Sequence, residues 1–303
     1  MKLIVIIVTY NGMAWIDKCL GSLQKATIKP DVFLVDNGSN DGTQSFIQEK
    51  YPEVMFHQSG KNLGFGKANN LGLQYALEQN YDFIYLLNQD AWVEPNTFEL
   101  LIDCMQRHPE YGILSPLQCQ ANMNSLDNSF LNCLVNTPQK ENLAQVVNDT
   151  LIGKIKNEPY EVEMTMAAHW LISKKCLETV GGFSPSFPHY GEDNNYNDRL
   201  HFFKMKMGIV PTAKAVHDRE NRKNSREKIA YLYYTGEIAY LSNPQTHRRP
   251  WILHFISTYL MLIKRYKLVT YIKYFFIILG QIRAIKKNVK KSRMGNAFLK
   301  CDN

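Results

Sequence analysis

Leu3-Ile4-Val5-Ile6-Ile7-Val8-Thr9-Tyr10-Asn11-Gly12 decides the fold. Consecutive apolar residues rich in Ile and Val read as a strand buried on both faces, as in a parallel sheet covered by helices. The run is too short to span a bilayer, lacks a cleavage signature and breaks at Asn11-Gly12. It is therefore read as a first strand and not as a signal peptide, which places the body of the protein in the cytoplasm. Working outward, residues 14–25 set Trp15, Cys19, Leu20 and Leu23 at helical spacing, and residues 31–35 form a second apolar run. That run stops at Asp36-Asn37-Gly38-Ser39-Asn40-Asp41-Gly42-Thr43, a dense turn signal ending in helix-capping residues. Residues 44–50 read as a helix, 54–57 as a strand, 64–79 as a helix and 83–87 as a fourth buried strand.

This alternation predicts an α/β fold with a mostly parallel sheet and right-handed crossovers. Ligands of such sheets bind beyond the carboxyl ends of the strands. Thr9, Tyr10, Asp36 and Asp90 all fall at those ends, so distant segments converge on one crevice. Further on, 96–108 reads as a helix, 112–116 as a strand, 171–180 as a helix ending at Gly181-Gly182, 193–206 as a helix and 209–216 as a strand. Residues 118–160 are polar, Asn-rich and weakly periodic, and are expected to form a variable loop region that acts as a lid or faces an acceptor.

An apolar fraction of 45% and a charged fraction of 21% over 303 residues exclude global disorder. The net charge of +7 is uneven: residues 245–303 hold 13 Lys and Arg against one acid, Asp302, while residues 1–244 hold 22 basic and 27 acidic residues. Within the tail, apolar aromatic runs at 251–263 and 271–279 are broken by Lys264, Arg265, Lys267 and Lys273. Each run is shorter than the roughly 20 residues that cross a bilayer. They read as helices lying in the interface of an anionic membrane, against the alternatives of packing on the catalytic body or forming a dimer contact. No nucleic-acid-binding motif accompanies the charge. Cys19, Cys104, Cys119, Cys133, Cys176 and Cys301 show no CxxC spacing, which argues against zinc or thioredoxin-like chemistry and leaves scattered thiols.

Four constellations carry chemistry. Asp36, directly after a strand, can accept hydrogen bonds from a nucleobase or ribose, or simply organise the turn after it. Asn88-Gln89-Asp90 follows the fourth strand, where Asp90 can bind a hard divalent cation that bridges diphosphate oxygens, or close an ordinary turn. Glu192-Asp193 opens a helix after Gly191, as a general base with a neighbour or as N-terminal capping acids. His217 ends a strand and either completes a metal site with Asp90 or is structural. No G-x-G-x-x-G, P-loop or G-x-S-x-G motif is present, which weighs against dehydrogenase, NTPase and hydrolase readings.

Taken in order, Val8-Thr9-Tyr10-Asn11, Val35-Asp36-Asn37-Gly38-Ser39, the segment from Asn62 to Gly72, Leu87-Asn88-Gln89-Asp90, Gly181-Gly182-Phe183, Glu192-Asp193 with Arg199, and Val216-His217 resemble the inverting family 2 glycosyltransferases of the GT-A fold. The likeness is greatest to the rhamnosyltransferase-like branch of bacterial surface polysaccharide synthesis. It implies a catalytic domain over 1–220 and a basic helical, membrane-associating region over 221–303. It implies that Thr9, Tyr10, Asp36, Asn62, Gly64, Asn70 and Asn88 bind the donor nucleotide, that Asp90 and His217 hold Mn²⁺ or Mg²⁺, and that Asp193 is the general base with Glu192 beside it. The implied partners are a nucleotide-sugar donor, a glycan or lipid-linked glycan acceptor, and the inner face of the cell membrane. Asn88 replaces the first acid of the family's D-x-D element, and Asn195 stands where a further acid is common. A nucleotidyltransferase on a related fold and a non-catalytic sugar-nucleotide-binding member are the competing readings. The first lacks its basic Gly-rich loop after the opening strand.

Overall fold

The computed structural model describes residues 1–135, 140–219, 225–245, 250–266 and 269–299. Lys267, Cys301, Asp302 and the boundary expected between residues 220 and 221 lie outside them. The chain begins β1 (Leu3–Thr9), α1 (Ile16–Lys25), β2 (Asp31–Asp36), α2 (Thr43–Lys50), β3 (Met55–Gln58), α3 (Phe65–Glu78) and β4 (Phe83–Asn88). These strands pair in the order β3-β2-β1-β4, all parallel. The register puts Thr9 opposite Asp36, and Val8 opposite Asn88, so the polar strand ends form one rim. Side chains of β1 alternate between two cores. Val5 and Ile7 pack toward α1 and α2, and Ile4 and Ile6 toward α3. Full burial of each such side chain is worth about 1.5–3 kcal/mol.

The second half adds β5 (Ala91–Val93), α4 (Thr97–Arg107), β6 (Tyr111–Cys119), α5 (Asn128–Val135), α6 (Lys140–Leu151), β7 (Tyr160–Val162), β8 (His169–Ser173), α7 (Lys174–Val180), α8 (Glu192–Phe202) and β9 (Lys206–His217). The sheet continues β4-β8-β6-β9-β5, with β7 also on β9. β8 runs antiparallel to β4 and β6, and β5 and β7 run antiparallel to β9, so the parallel half is extended by a mixed half.

Three sequence expectations are corrected. Residues 171–180 are not one helix. Trp170, Leu171 and Ile172 are buried in β8, and the Ser173 hydroxyl then caps α7 by accepting from the Cys176 amide. Residues 118–160 are not a loop region, because they contain α5, α6 and most of the approach to β7. The helix expected over 193–206 ends at Phe202, and Lys204 at φ +56 reverses the chain into β9.

The tail forms α9 (Arg226–Ser242), α10 (Trp251–Tyr266), a 3₁₀ turn (Val269–Ile272) and α11 (Lys273–Ser292). These helices share a core of Tyr234, Ile238, Phe255, Leu262, Tyr271 and Ile278 that also takes Phe187 of the preceding α/β body. Beyond α11 the chain returns to that body. Gly182 N donates to Ala297 O at 2.8 Å, and Leu299 is buried in the core beneath α3 and α7. The tail therefore packs on the body, yet Ile252, Leu253, Ile256 and Leu260 of α10 and Phe276 of α11 remain exposed. Among the described residues no helix is long and apolar enough to cross a membrane.

Candidate active site

Gln89 builds the rim of the site. Its Oε1 accepts from Thr9 Oγ1 at 2.7 Å and Tyr10 N at 2.8 Å, and its Nε2 donates to Tyr10 O at 3.2 Å. These bonds pin the turn after β4 to the end of β1. Thr9 is buried, and its hydroxyl is engaged there. Asp36 is also fully buried, and its Oδ1 accepts from Gly38 N, Ser39 N and Gln44 Nε2 at 3.1, 3.0 and 2.7 Å. Its Oδ2 is buried with no partner among the described residues. One carboxylate thus organises the turn and keeps an oxygen whose desolvation is offset only if a ligand donates to it.

Asn37 Oδ1 accepts from Leu63 N at 3.0 Å, which hangs the 62–64 loop on the end of β2. Asn62 Oδ1 accepts from Gly64 N at 2.9 Å, an Asx turn that sets Gly64 at φ +78. A Cβ there would lie 2.3 Å from Pro188 O, so only glycine lets the loop close against that wall. The enclosed cleft has a volume of about 540 Å³, and Tyr10, Asn62, Gly64, Asn88 and Asp90 line it together with Gln89 and Lys67. Asn70 is not among its lining residues. Its amide donates to Phe183 O at 2.9 Å and accepts from Phe183 N at 2.7 Å, clamping α3 to the Gly181–Phe183 turn. Gln89 and Lys67 were passed over in the sequence, although both sit inside the quoted motifs.

The floor of the cleft depends on β5 and β9, whose register pairs Ala91 with His217. Asp218 N donates to Asp90 O at 2.8 Å, and His217 Nε2 lies 3.5 Å from Asp90 Oδ1 and 3.5 Å from Asn88 Nδ2. Asp90 and His217 are nearly fully buried, and His217 Nδ1 has no partner among the described residues. Behind them sits His169, for which the sequence offered no motif. Its Nε2 lies 2.9 Å from Val216 O, which can only accept, so Nε2 carries the proton and Nδ1 accepts from the Tyr85 hydroxyl at 2.9 Å. Burial pushes His169 down to about 3, keeping it neutral. It braces the strand end that carries His217. Among the described residues no three His, Cys, Asp or Glu gather as a cation site. The donor set of one carboxylate, Asp90, and one imidazole, His217, fits Mn²⁺ or Mg²⁺ that would draw its remaining ligands from a diphosphate and water.

Gly191, at φ +86, turns the chain into α8, whose first residues are Glu192 and Asp193. Glu192 is buried and its Oε2 has no partner among the described residues. Burial, and then the charge of Asp193, push it up to about 8. Asp193 is half-buried and is raised by burial, while backbone N–H groups at Asn194 and Ala167 and the charge of Arg219 oppose the shift. Arg219 is itself held by Asp127, with Nε and Nη2 at 3.1 and 3.2 Å from its oxygens. Near neutral pH burial favours the protonated form of Glu192, and it raises Asp193 as well. Asn195 points elsewhere: its Nδ2 donates to Ser242 O at 3.0 Å, tying α8 to the end of α9.

Residues 4–145 match the profile described as Glycosyl transferase family 2. The chain is 27% identical over 267 residues to the N-acetylglucosaminyl-diphospho-decaprenol L-rhamnosyltransferase of Mycobacterium tuberculosis, covering 82% of this chain and 85% of that one. Among solved structures it resembles S. aureus TarS 1-349 in complex with UDP-GlcNAc, with a TM-score of 0.58 at 16% identity over 97% of this chain and 90% of that one. It also resembles GalNAc-T7 with UDP, GalNAc and Mn²⁺, with a TM-score of 0.56 at 16% identity over 83% and 52%. At that identity the two structures speak to the fold, which they share.

Proposed function

Because this chain is a family 2 glycosyltransferase of the GT-A fold, rhamnosyltransferase-like in sequence, we propose that it transfers rhamnose or a related hexose from a nucleoside diphosphate to a lipid-linked glycan, with inversion and with a divalent cation. The observation that carries this reading is the buried Asp90, which lines a cleft of about 540 Å³ rimmed by strand ends and has His217 Nε2 3.5 Å behind it. The relative's name, which couples an L-rhamnosyl donor group to a diphospho-polyprenol acceptor, supports the choice of substrates.

The chain's own groups divide the work. Asp36 Oδ2 accepts from the nucleobase or ribose. Asn62 and Gly64 close the loop over the nucleoside, with Tyr10 on the facing rim. Lys67 and the N-terminus of α3 face the diphosphate with positive charge. A cation held by Asp90 and His217 would neutralise the charge that builds on the departing nucleoside diphosphate. Asp193 takes the proton of the acceptor hydroxyl, whose oxygen attacks the anomeric carbon opposite the leaving group and inverts it. Glu192, protonated, keeps a second negative charge away from that step.

The C-terminal region rests on the inner face of the membrane in this reading. The exposed Ile252, Leu253, Ile256, Leu260 and Phe276 provide an apolar face, and the basic residues of the tail add about 1 kcal/mol each near an anionic surface. Calorimetric titration with dTDP, UDP and GDP, each with and without Mn²⁺, tests the site. Metal-dependent binding of one nucleotide, followed by transfer from its sugar conjugate to an N-acetylglucosaminyl-diphospho-lipid, is expected; no binding to any overturns the reading. Leu260→Glu with Phe276→Glu should release the protein from phosphatidylglycerol liposomes, and unchanged sedimentation would make the tail a packing element alone.

A further inference from the structure

A second cavity of about 540 Å³ lies among α5, α8, α9 and α10, apart from the donor cleft. Glu163 and Asp198 stand on its wall, and burial, with the charge of Glu163, pushes Asp198 up to about 7. Asn197 lines it as well; it is 3% exposed, and its Oδ1 meets no partner among the described residues. On the opposite wall the rings of Tyr240 and His254 stack at 4.0 Å and 15°, with His254 held by Glu237 at 3.0 Å. No lysine or arginine lines the cavity among the described residues.

That chemistry rejects a phosphate and suits a neutral polyol. Carboxylates and amide oxygens accept from hydroxyls, and a stacked aromatic pair offers an apolar face to the C–H side of a pyranose. The position agrees. Asn194, which lines the cavity, follows Asp193 directly, and the Cys133 thiol on the same wall is raised in part by the charge of Asp193. α10 sends His254 into the wall while Leu253 and Ile256 of the same helix are exposed.

We propose that this cavity binds the saccharide of the acceptor, and that the C-terminal helix α10 completes it so that the lipid end can lie along the exposed apolar face. The inference rests on the glycosyltransferase reading above. Gly236 lines the cavity in mid-helix, and a Cβ built on it meets nothing within 4 Å, so a larger side chain there enters open space without a backbone clash. The test uses the full-length protein loaded with the nucleotide it binds, titrated with a short-chain N-acetylglucosaminyl-diphospho-lipid below its micelle concentration. Gly236→Phe should weaken that binding by about tenfold or more, and Asp198→Asn, which keeps the volume, by several-fold. Nucleotide affinity should be unchanged in both. Wild-type glycolipid affinity in both variants overturns the proposal, as does a nucleotide-loaded wild type that takes up neither the glycolipid nor free N-acetylglucosamine. A wild type that binds no nucleotide fails at the earlier reading instead. If Gly236→Phe is unfolded by circular dichroism, Asp198→Asn alone decides.

Discussion

The two cavities enclose the same volume, about 540 Å³ each, by opposite means. The donor cleft is rimmed by the ends of β1, β2 and β4, and its polar groups are fixed by main-chain register and short turns. The second cavity is walled largely by helices, and its groups are fixed by how α8, α9 and α10 pack. A sheet edge holds hydrogen-bonding atoms rigidly, which suits a reagent whose nucleotide and diphosphate parts are constant. Helix packing sets the second cavity through the sizes of the side chains that meet there. Asp193, at the first turn of α8, lines neither, but Asn194 directly after it lines the second cavity.

Because Asp193 is the proposed base and precedes Asn194 of the second cavity, its removal should have the largest effect and should separate transfer from nucleotide binding. Asp193→Asn is expected to lower the transfer rate by about 10³-fold, within the range general bases supply, with nucleotide affinity intact. Rate and affinity falling together would move Asp193 into the donor cleft.

Glu192 tests whether the pair shares one charge. Its folded pKa of about 8 lies above the ordinary 4.5, so the folded protein binds this proton more tightly than the unfolded chain. The resulting stability is complete below about pH 4.5 and is lost as the pH rises to about 8. Glu192→Gln should therefore leave stability near pH 4.5 unchanged and raise it by roughly 2–4 kcal/mol at pH 8, measured by urea unfolding across that window. Equal slopes in wild type and variant would place Glu192 in water rather than in the wall.

A smaller effect confined to the donor cleft is expected from Asp90→Asn. It should weaken Mn²⁺-dependent nucleotide binding by about 10–100-fold while binding without metal changes little. Loss of both equally would assign Asp90 a direct nucleotide contact.

The contrast between the halves also decides what could be read from the sequence. Strands of the parallel half are continuous apolar runs ending in polar turns, so Tyr10 and Asp90, which line one cleft, could be placed together from spacing alone, while Asp36 is buried at the neighbouring strand end. The mixed half hides its register. Trp170-Leu171-Ile172 is a short run buried in a central strand, and such a run has no period that separates strand from helix. Ser173 marked the boundary, as an N-cap. α5 is hard to read because it is only eight residues long, and α6 because its apolar residues are scattered among polar ones, although Asp127 caps the first by accepting from Phe130 N at 2.8 Å. Asn70 shows the reverse case: a motif residue whose amide is consumed by Phe183, 113 positions away, a contact no local pattern reveals. His169 and the second cavity depend on long-range packing of the same kind.

The finest comparison sets two glycines against each other. Gly64 faces the donor cleft, and its φ of +78 and the 2.3 Å approach of Pro188 O to a Cβ demand the absence of a side chain. Gly236 faces the second cavity from within α9, where a Cβ meets open space and no left-handed backbone is required. Gly64→Ala should therefore destabilise the protein by about 1–3 kcal/mol and loosen nucleotide binding with it. Gly236→Ala should do the opposite, adding about 0.5–1 kcal/mol through helix propensity, measured as a raised urea midpoint at unchanged m-value. The stabilised variant would show that glycine is kept at position 236 for room rather than for backbone, because a methyl group there improves the fold and only narrows the cavity. If Gly236→Ala is instead destabilising, the space beside α9 is already filled by packing, and the helix-walled cavity has less freedom to change its occupant than its construction suggests.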